Sequence, residues 1–291
     1  MLNLYRYRLP LRPPLNFIRE GFLLELDGGW GEIAPLPGFS RETLENCEAE
    51  LKRLWPDIRN ARSNIPSVHW GLECAKKPWP PKPFQRPLSA LLWDAPVPSG
   101  YKTLKLKVKH LPIQEAIRRV KEIQNQGPYE IRLDCNRSWS LEQALEFANA
   151  FDPGDFAYLE EPLRDFNELK EFSLRTGFPI AADESLSDAP WREIPTLKAA
   201  IIKPTVLGAL PDLPPDIDLV LSGAYESGIG TLHIATLPSP RAAGLDTYRY
   251  LTEDLLKFPL RIEEGHLIWD GYFELNLLKL ERIISGSQSK E

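Results

Sequence analysis

Residues 103–109 alternate apolar and cationic side chains with a period of two. In a β-strand this alternation places Lys105 and Lys107 on one face and apolar residues on the other. Taken alone, such a strand is typical of a surface with a solvated lysine face. It is followed, however, by a helix-like pattern over 113–126 and a second strand-like run over 129–134. Strand–helix alternation predicts a parallel sheet covered by helices, so in a closed barrel these lysines point into the interior.

An ionisable residue ends each of the next strand-like runs. Counted from Lys107, the steps between these positions are 27, 26, 23 and 20 residues. Each step matches about one strand-plus-helix unit. In a parallel barrel the carboxyl ends of the strands meet at one mouth, where active sites lie. The series therefore predicts a single site built from Lys107, Asp134, Glu160, Asp183 and Lys203.

The N-terminal part has a different pattern. Residues 2–9 and 21–33 are predicted to form antiparallel strands, with a turn at 27–29. A helix is expected from Ser40, as its N-cap, to about Trp55, and a second helix over 67–76. Strands followed by helices indicate an α+β domain.

The proline-rich stretch 78–87 predicts a semi-rigid, extended linker. Beyond it, barrel strands are expected at 88–92, at 218–222 and, as the eighth strand, at 244–248, with a helix over 228–237. The predicted organisation is an α+β domain over 1–86, a barrel over 87–270, a segment over 271–284 that packs back on the first domain, and a disordered tail over 285–291.

Composition narrows the function classes. The net charge of −6 and the lack of a basic cluster argue against nucleic-acid binding. The sequence contains no run of about 18 apolar residues, so it predicts no membrane span. The N-terminus lacks the apolar core of a signal peptide. Three cysteines without a CxxC pair indicate reduced thiols and a cytoplasmic location. The sequence makes no prediction of the oligomeric state.

Three carboxylates at one mouth repel one another unless a cation lies between them. The four histidines have no metal-ligand spacing, so a metal held by Asp134, Glu160 and Asp183 is expected to be a hard cation such as Mg²⁺. Alternatively, each carboxylate caps a helix or pairs with an arginine, but three in register favour the metal. Lys107 and Lys203 would approach a ligand from opposite sides. Near a metal and partly buried, a lysine has a lowered pKa and can act as a base.

Motifs at these positions resemble those of the enolase superfamily: Lys105-Leu106-Lys107, Leu133-Asp134-Cys135-Asn136-Arg137, Leu159-Glu160-Glu161-Pro162, Asp183-Glu184-Ser185 and Ile202-Lys203-Pro204-Thr205. Within that superfamily, residues 30–40 (WGEIAPLPGFS) and 66–68 resemble o-succinylbenzoate synthases. The resemblance runs from about Arg19 to about Asp246. It implies an α/β fold, namely a (β/α)7β-type modified TIM barrel with an N-terminal α+β capping domain.

The same resemblance implies an activity and a cofactor. The expected reaction is the Mg²⁺-dependent syn-dehydration of 2-succinyl-6-hydroxy-2,4-cyclohexadiene-1-carboxylate to o-succinylbenzoate, for menaquinone or phylloquinone synthesis. Mn²⁺ is the expected substitute for Mg²⁺, and the expected partner is a small-molecule carboxylate. The chain would then be a carbon–oxygen lyase.

The resemblance also assigns roles by position. Lys107 would remove the proton and then help the hydroxyl to leave, Lys203 would be a stabilising cation, and Lys105 would tune the pKa of Lys107. The expected metal ligands are Asp134, Glu160 and Asp183. The expected substrate-binding residues are Arg132, Asn136, Ser222 and Gly223. Lys109 and Tyr225 depart from the family pattern near the mouth, where they could affect substrate fit.

Other functions use the same residues. An N-acylamino acid racemase or dipeptide epimerase would use Lys107 and Lys203 as bases on opposite faces, and a cycloisomerase is a related alternative. Fold and metal do not decide among these chemistries. A non-catalytic, ligand-binding relative is the third hypothesis, and the complete Lys, Asp, Glu, Asp, Lys series argues against it.

Overall fold

The computed structural model describes residues 1–93 and 96–286. Its N-terminal region contains three antiparallel strands, β1 (Leu2–Pro10), β2 (Ile18–Leu26) and β3 (Gly29–Ile33). Two helices, α1 (Leu44–Leu54) and α2 (Pro66–Ala75), pack on this sheet through apolar side chains of both elements. The predicted α+β arrangement of the capping domain is therefore present.

The start of α1 differs from the prediction. Its N-cap is Thr43, whose Oγ1 accepts a hydrogen bond from the Asn46 backbone N–H at 3.2 Å. The Asn46 side chain in turn accepts from the Thr43 N–H at 3.1 Å, which completes a capping box. Ser40 instead accepts from the Leu36 N–H at 2.9 Å. Its hydroxyl closes a turn in the preceding loop and is not available to cap the helix.

The barrel region alternates strands with helices. Its elements are β4 (Phe84–Pro87), β5 (Ser89–Leu92), β6 (Thr103–Lys107), α3 (Ile113–Gln124), β7 (Glu130–Asp134), α4 (Leu141–Ala148), β8 (Tyr158–Glu160), α5 (Leu169–Thr176), β9 (Ile180–Ala182), α6 (Ser185–Asp188), β10 (Leu197–Ile202), α7 (Pro204–Leu207), β11 (Asp218–Leu221) and α8 (Gly228–Ala235). Strands β5 to β11 form one parallel sheet in chain order. This is the fold class that the alternation predicted.

Strand β6, which carries the two lysines, shows how the two faces of the sheet differ. Leu104, Leu106 and Val108 are fully buried against the helix layer, where they join Ile117 and Val120 of α3. The intervening lysines point to the other side of the sheet, which is the barrel interior. Helix α3 buries its apolar residues at helical spacing, as expected of a helix that covers a sheet.

The closing strand of the barrel is reduced to two bridge pairs. Ala243 pairs with Leu88 and Gly244 pairs with Ser222, both in parallel. Residues 246–250 then form a 3-10 turn. The predicted eighth strand at 244–248 is therefore wrong beyond its first residue, because the chain turns away as soon as the two edges are joined.

The proline-rich stretch is also more ordered than a linker. Its last four residues form β4, which pairs with β13 (His266–Trp269), the neighbour of β12 (Arg261–Glu263). This small antiparallel sheet crosses the domain boundary expected between residues 86 and 87.

The final strand, β14 (Leu280–Gly286), pairs with β1 and completes the capping sheet in the order β14-β1-β2-β3. The strand includes the first two residues of the predicted tail, and the rest of that tail, 287–291, lies outside the described residues. None of the helices in residues 1–93 and 96–286 is both long and apolar enough to span a membrane.

Candidate active site

The mouth of the barrel collects the charged residues that end successive strands. Lys107, Asp134 and Glu160 are the last residues of β6, β7 and β8, and they lie side by side in the register of the sheet. Asp183 and Lys203 follow directly after β9 and β10. No side chain among these five is more than 16% exposed. The structure therefore brings the whole predicted series into one place.

Two lysines project from the interior face of β6. Lys105 Nζ lies 2.8 Å from both carboxylate oxygens of Glu160, although only the contact with Oε1 has hydrogen-bond geometry. The same nitrogen lies 2.9 Å from Asp134 Oδ2. Lys107 Nζ donates to Asp134 Oδ2 at 2.7 Å and to Asn136 Oδ1 at 3.1 Å. Lys105 thus holds the deeper acids, and Lys107 lies nearer the opening.

Lys203 approaches from across the mouth, since β10 is four strands away from β6. Its Nζ donates to Asp183 Oδ2. An aromatic ring lies over each of the two outer amines. The Trp93 ring centroid is 5.5 Å from Lys107 Nζ, and the Phe39 ring centroid is 5.1 Å from Lys203 Nζ. Both distances allow cation–π attraction.

Burial and neighbouring charges shift the pKa values of several residues in this cluster. Burial raises the pKa of Glu160 to about 8, and the negative charge of Asp134 adds to the rise. Burial also acts to raise the pKa of Asp134, but the two β6 lysines outweigh it and hold that pKa below its usual range. Burial lowers the pKa of Lys105 and of Lys203, yet their carboxylate partners outweigh it and the net shift is upward. The upward shift of both pKa values follows from the pairing of each amine with a carboxylate.

The donor set suits a hard divalent cation. All three acids offer carboxylate oxygens, the ligand type that Mg²⁺ prefers. Glu160 Oε2 is buried and has no hydrogen-bond partner among the described residues. In residues 1–93 and 96–286, no three acidic, histidine or cysteine side chains are grouped closely enough to surround a metal ion. The reason is that each acid at the mouth turns towards a lysine. The residues fit Mg²⁺ by chemistry and charge, and they would have to turn from these amines to hold it.

A pocket lies between the barrel mouth and the capping domain. Leu36 and Phe39, from the loop after β3, form its upper wall, and Ser222, Gly223 and Tyr225 form one side. The Tyr225 ring meets Phe17 edge-on at 5.7 Å. The pocket is mostly apolar with a few charged groups at its base, as is usual for a small-molecule site.

Glu161 fixes the backbone that carries Asp183. Its carboxylate accepts hydrogen bonds from the backbone N–H groups of Asp183 and Ser185, each at 2.8 Å. Arg137 donates to the same carboxylate at 3.0 Å. These contacts are structural, because they fix the turn that follows β9.

Arg132 does not lie at the pocket. Its guanidinium donates to the Ala242 carbonyl at 2.8 Å and pairs with Glu130 at 2.9 Å. Glu130 begins β7, so these contacts lie towards the opposite end of the barrel from Asp134. The expected substrate contact is corrected accordingly. Arg132 lies two residues before Asp134 on the same face of β7, but its long side chain turns towards the carboxylate of Glu130.

The expected substrate donors after β11 are already engaged. The Gly223 N–H donates to the Gly244 carbonyl at 3.1 Å, and the Ala224 N–H donates to Glu226 at 2.5 Å. The Ser222 hydroxyl makes only a long contact of 3.4 Å to Gly244. Gly223 therefore lines the pocket without offering its N–H, because that group closes the barrel. Asn136 lines the pocket and holds Lys107.

Sequence reasoning missed three uncharged residues of this region. Trp93 follows β5 directly, so the rule that strand ends form the mouth would have found it. Phe39 lies within the motif at residues 30–40, but its place over Lys203 depends on how the cap docks. Ser89 lines the pocket, and its buried hydroxyl has no partner within the described residues.

This arrangement of a carboxylate trio and flanking lysines in a capped barrel is that of the enolase class. Residues 92–201 match the family model described as "Enolase C-terminal domain-like", and residues 1–79 match "MenC, N-terminal domain".

Similarity to curated proteins narrows the class. The chain is 34% identical to an o-succinylbenzoate synthase of Edwardsiella ictaluri (strain 93-146), over 92% of this chain and 99% of the relative. It is 31% identical to an o-succinylbenzoate synthase of Klebsiella pneumoniae (strain 342), over 88% and 93%. The chain belongs to the o-succinylbenzoate synthase family of the enolase superfamily.

Solved structures agree in fold. The o-succinylbenzoate synthase from Thermosynechococcus elongatus BP-1, described with magnesium in its active site, superposes with a TM-score of 0.66 at 22% identity, covering 87% of this chain and 94% of that one. An L-Ala-D/L-Glu epimerase superposes with a TM-score of 0.72 at 19% identity, covering 92% and 98%. At these identities the likeness concerns the fold alone and does not separate the two chemistries.

Proposed function

We propose that this chain catalyses the syn-dehydration of 2-succinyl-6-hydroxy-2,4-cyclohexadiene-1-carboxylate to o-succinylbenzoate, in the synthesis of menaquinone or phylloquinone. The observation that carries the proposal is the placement of Lys107 and Lys203 on opposite sides of a buried carboxylate trio. Family membership at 31–34% identity over most of the chain supports the same reaction. All three cysteines are free thiols, which supports a cytoplasmic location.

Lys107 is the proposed base. It lies nearer the opening than Lys105, and its Nζ contacts Asp134 and Asn136, both of which line the pocket. In the reaction it takes the proton from the carbon next to the substrate carboxylate. It then returns that proton to the hydroxyl that leaves from the same face, so acid and base are one group. Positioned proton transfer of this kind contributes about 10² to 10⁴ in rate.

Lys203 and Lys105 supply fixed charge. Lys203 faces the pocket from the opposite side and stabilises negative charge that develops on the ring. Lys105 contacts Glu160 and Asp134 and places its positive charge beside Lys107 at the base of the pocket.

Asp134, Glu160 and Asp183 are the proposed ligands of Mg²⁺, with Mn²⁺ as a substitute. When bound, the metal supplies positive charge that stabilises the substrate carboxylate after proton removal. The placement of three buried carboxylates at one mouth supports this assignment, because neighbouring acids repel one another unless a cation lies between them. Asn136 and the Ser222 hydroxyl remain as proposed substrate contacts, since both line the pocket.

The direct test is conversion of the purified substrate in the presence of Mg²⁺, followed by absorbance of the aromatic product. The proposal expects o-succinylbenzoate to form, and to require the metal. A protein that binds Mg²⁺ and leaves the substrate unchanged would contradict it.

A racemase or epimerase is the second candidate, because two amines on opposite faces could exchange a proton with either enantiomer. It is separated by incubating N-succinylamino acids and dipeptides in deuterated water. Deuterium at the α-carbon without dehydration activity would favour the second candidate over the first.

A further inference from the structure

A buried carboxylate at the boundary between the cap and the barrel has no place in the proposed chemistry. Glu32, on β3, is 3% exposed. Its carboxylate accepts a hydrogen bond from the hydroxyl of Tyr7, which belongs to the same domain. It also accepts hydrogen bonds from three groups of the barrel: the Ser227 backbone N–H at 3.0 Å, the Gly230 backbone N–H at 2.9 Å and the Ser227 hydroxyl. One side chain of the cap therefore binds the N-terminus of barrel helix α8.

The helix is shaped to receive this carboxylate. A Cβ at Gly230 would lie 2.5 Å from Glu32 Oε2 and 2.7 Å from Glu226 Cβ, so only glycine leaves room for the approach. The first N–H groups of a helix have no partner within it, and the positive end of its dipole favours an anion. Glu32 satisfies two of these N–H groups at once.

The same side chain joins two walls of the pocket. Strand β3 leads directly into the loop whose Leu36 and Phe39 form the upper wall. On the barrel side, Ser227 follows the segment 222–225, whose residues form the side wall.

Two further buried charges stiffen these walls. Arg19 donates to the carbonyls of Ala34 and Pro35 at the start of the upper wall, the latter at 2.6 Å. Glu226 accepts from the Ala224 N–H at 2.5 Å and from the Thr205 hydroxyl at 2.7 Å, which ties the side wall to the turn after Lys203. These hydrogen bonds of Arg19 and Glu226 stay within their own domains, whereas those of Glu32 join the two. Phe39, over Lys203, also joins cap and barrel beside the pocket. Arg41 does the same by donating to the Ser187 carbonyl.

We propose that Glu32 is a positioning residue that sets the distance between the cap wall and the barrel wall of the substrate pocket. Glu32 does not line the pocket, and the hydrogen bonds described above join it to Tyr7, Ser227 and Gly230, so its loss should weaken substrate binding more than turnover. The identity of the substrate in this inference rests on the proposed function, whereas the coupling of the two pocket walls by Glu32 does not.

The test replaces Glu32 by glutamine and measures kinetics and backbone hydrogen exchange. The amide NH₂ cannot accept, so at least one N–H of α8 loses its partner. We expect KM to rise about tenfold, equivalent to about 1.4 kcal/mol, with kcat within about threefold of wild type. Exchange should become about tenfold faster in peptides covering both 34–40 and 222–230. Ser227→Ala, which removes only the hydroxyl, should change both readouts in the same direction by less.

Glu25→Gln is the matched control. Glu25 is also a buried acid of the capping sheet, 5% exposed, and its side chain binds Asn3 within that sheet at 2.6 Å. Its replacement should leave KM and the exchange of both loops within about twofold of wild type.

The outcomes separate the inference from the proposed function. If Glu32→Gln is folded and its KM stays within about twofold of wild type, Glu32 is only a structural anchor and the inference is wrong. Equal changes in Glu25→Gln would also overturn it. If the wild-type protein forms no product, the proposed function fails, and exchange alone decides the coupling. Faster exchange in both loops of Glu32→Gln and Ser227→Ala supports it, and exchange confined to one loop refutes it. If Glu32→Gln does not fold, the same criteria apply to Ser227→Ala.

Discussion

Two groups of three buried acids lie on either side of the pocket wall, and they differ in their partners. The acids at the barrel mouth face lysine amines. The acids around α8 face backbone N–H groups and hydroxyls: Glu32 as described above, Glu226, and Asp254, which accepts from the Gly228 and Leu255 N–H groups at 2.8 and 2.7 Å. The first group is Asp134, Glu160 and Asp183, and the second is Glu32, Glu226 and Asp254.

Burial and a raised pKa do not distinguish the groups. Burial raises the pKa of Asp254 to about 6 and raises that of Glu226, just as it raises that of Glu160. What differs is whether the partner can be exchanged. A backbone N–H is part of a helix and stays in place, whereas a lysine amine on a flexible stem can move aside for a metal or a substrate. The partners of an acid therefore distinguish the two groups, whereas its pKa does not.

The largest effect should follow from removing an amine of the first group. Lys107→Ala should lower kcat by about 10³-fold or more, because the substitution removes the proposed base. Steady-state kinetics measures the loss. The control is Lys102→Ala, an exposed lysine just before β6, which should keep wild-type rates. A Lys107→Ala variant with substantial turnover would remove that residue from the base role.

A ligand of the first group should come next. Asp183→Asn should weaken Mg²⁺ binding about tenfold or more, because a carboxylate is exchanged for a neutral amide. Titration calorimetry provides the affinity. Asp165→Asn, an exposed acid on the neighbouring loop, is the control for loss of negative charge alone. Unchanged affinity in Asp183→Asn would argue against ligation.

An acid of the second group should affect stability instead. Asp254→Ala removes the acceptor for two backbone N–H groups and for the Tyr248 hydroxyl. The free energy of unfolding should fall by about 2 kcal/mol, while kcat of the folded variant stays within about threefold. Urea unfolding and kinetics at a low temperature test the pair of expectations. A selective loss of kcat with stability retained would break the distinction between the groups.

The smallest effect concerns pH. Burial lowers the pKa of His233, on α8, to about 4, and its Nε2 bonds the Trp30 carbonyl at 2.7 Å. The folded state therefore takes up the proton less readily than the unfolded state. The contribution of neutral His233 is complete above the unfolded pKa of about 6.5 and is lost as the pH falls towards about 4.

Between about pH 7.5 and about pH 5.5 the wild-type protein should thus lose about 1 kcal/mol more stability than His233→Gln. Urea unfolding at the two pH values measures the difference. Parallel losses in the two proteins would show that His233 does not contribute to the pH dependence.

Much of this site follows from sequence because its information is local. The period of two puts Lys105 and Lys107 inside the barrel, and one charged residue per strand-plus-helix unit places the other four at the same mouth. What failed depends on distant partners. Arg132 turned towards Glu130, β4 found its partner about 180 residues later in β13, and the Gly223 N–H was taken by the closing bridge. Glu32 lies in a strand and gives no local sign that it will meet a helix from the other domain.

The pairing of β1 with β14 has a consequence for how the protein is made. Leu2 lies opposite Gly286, so β1 has an open edge until residues about 280 positions later in the chain have been translated. An open strand edge is a site for association between nascent chains. The barrel can assemble during that interval from neighbouring units, whereas the capping sheet is complete only after β14 has been synthesised and has paired with β1. A stalled or shortened product would therefore contain all five charged residues of the barrel mouth but an incomplete capping sheet.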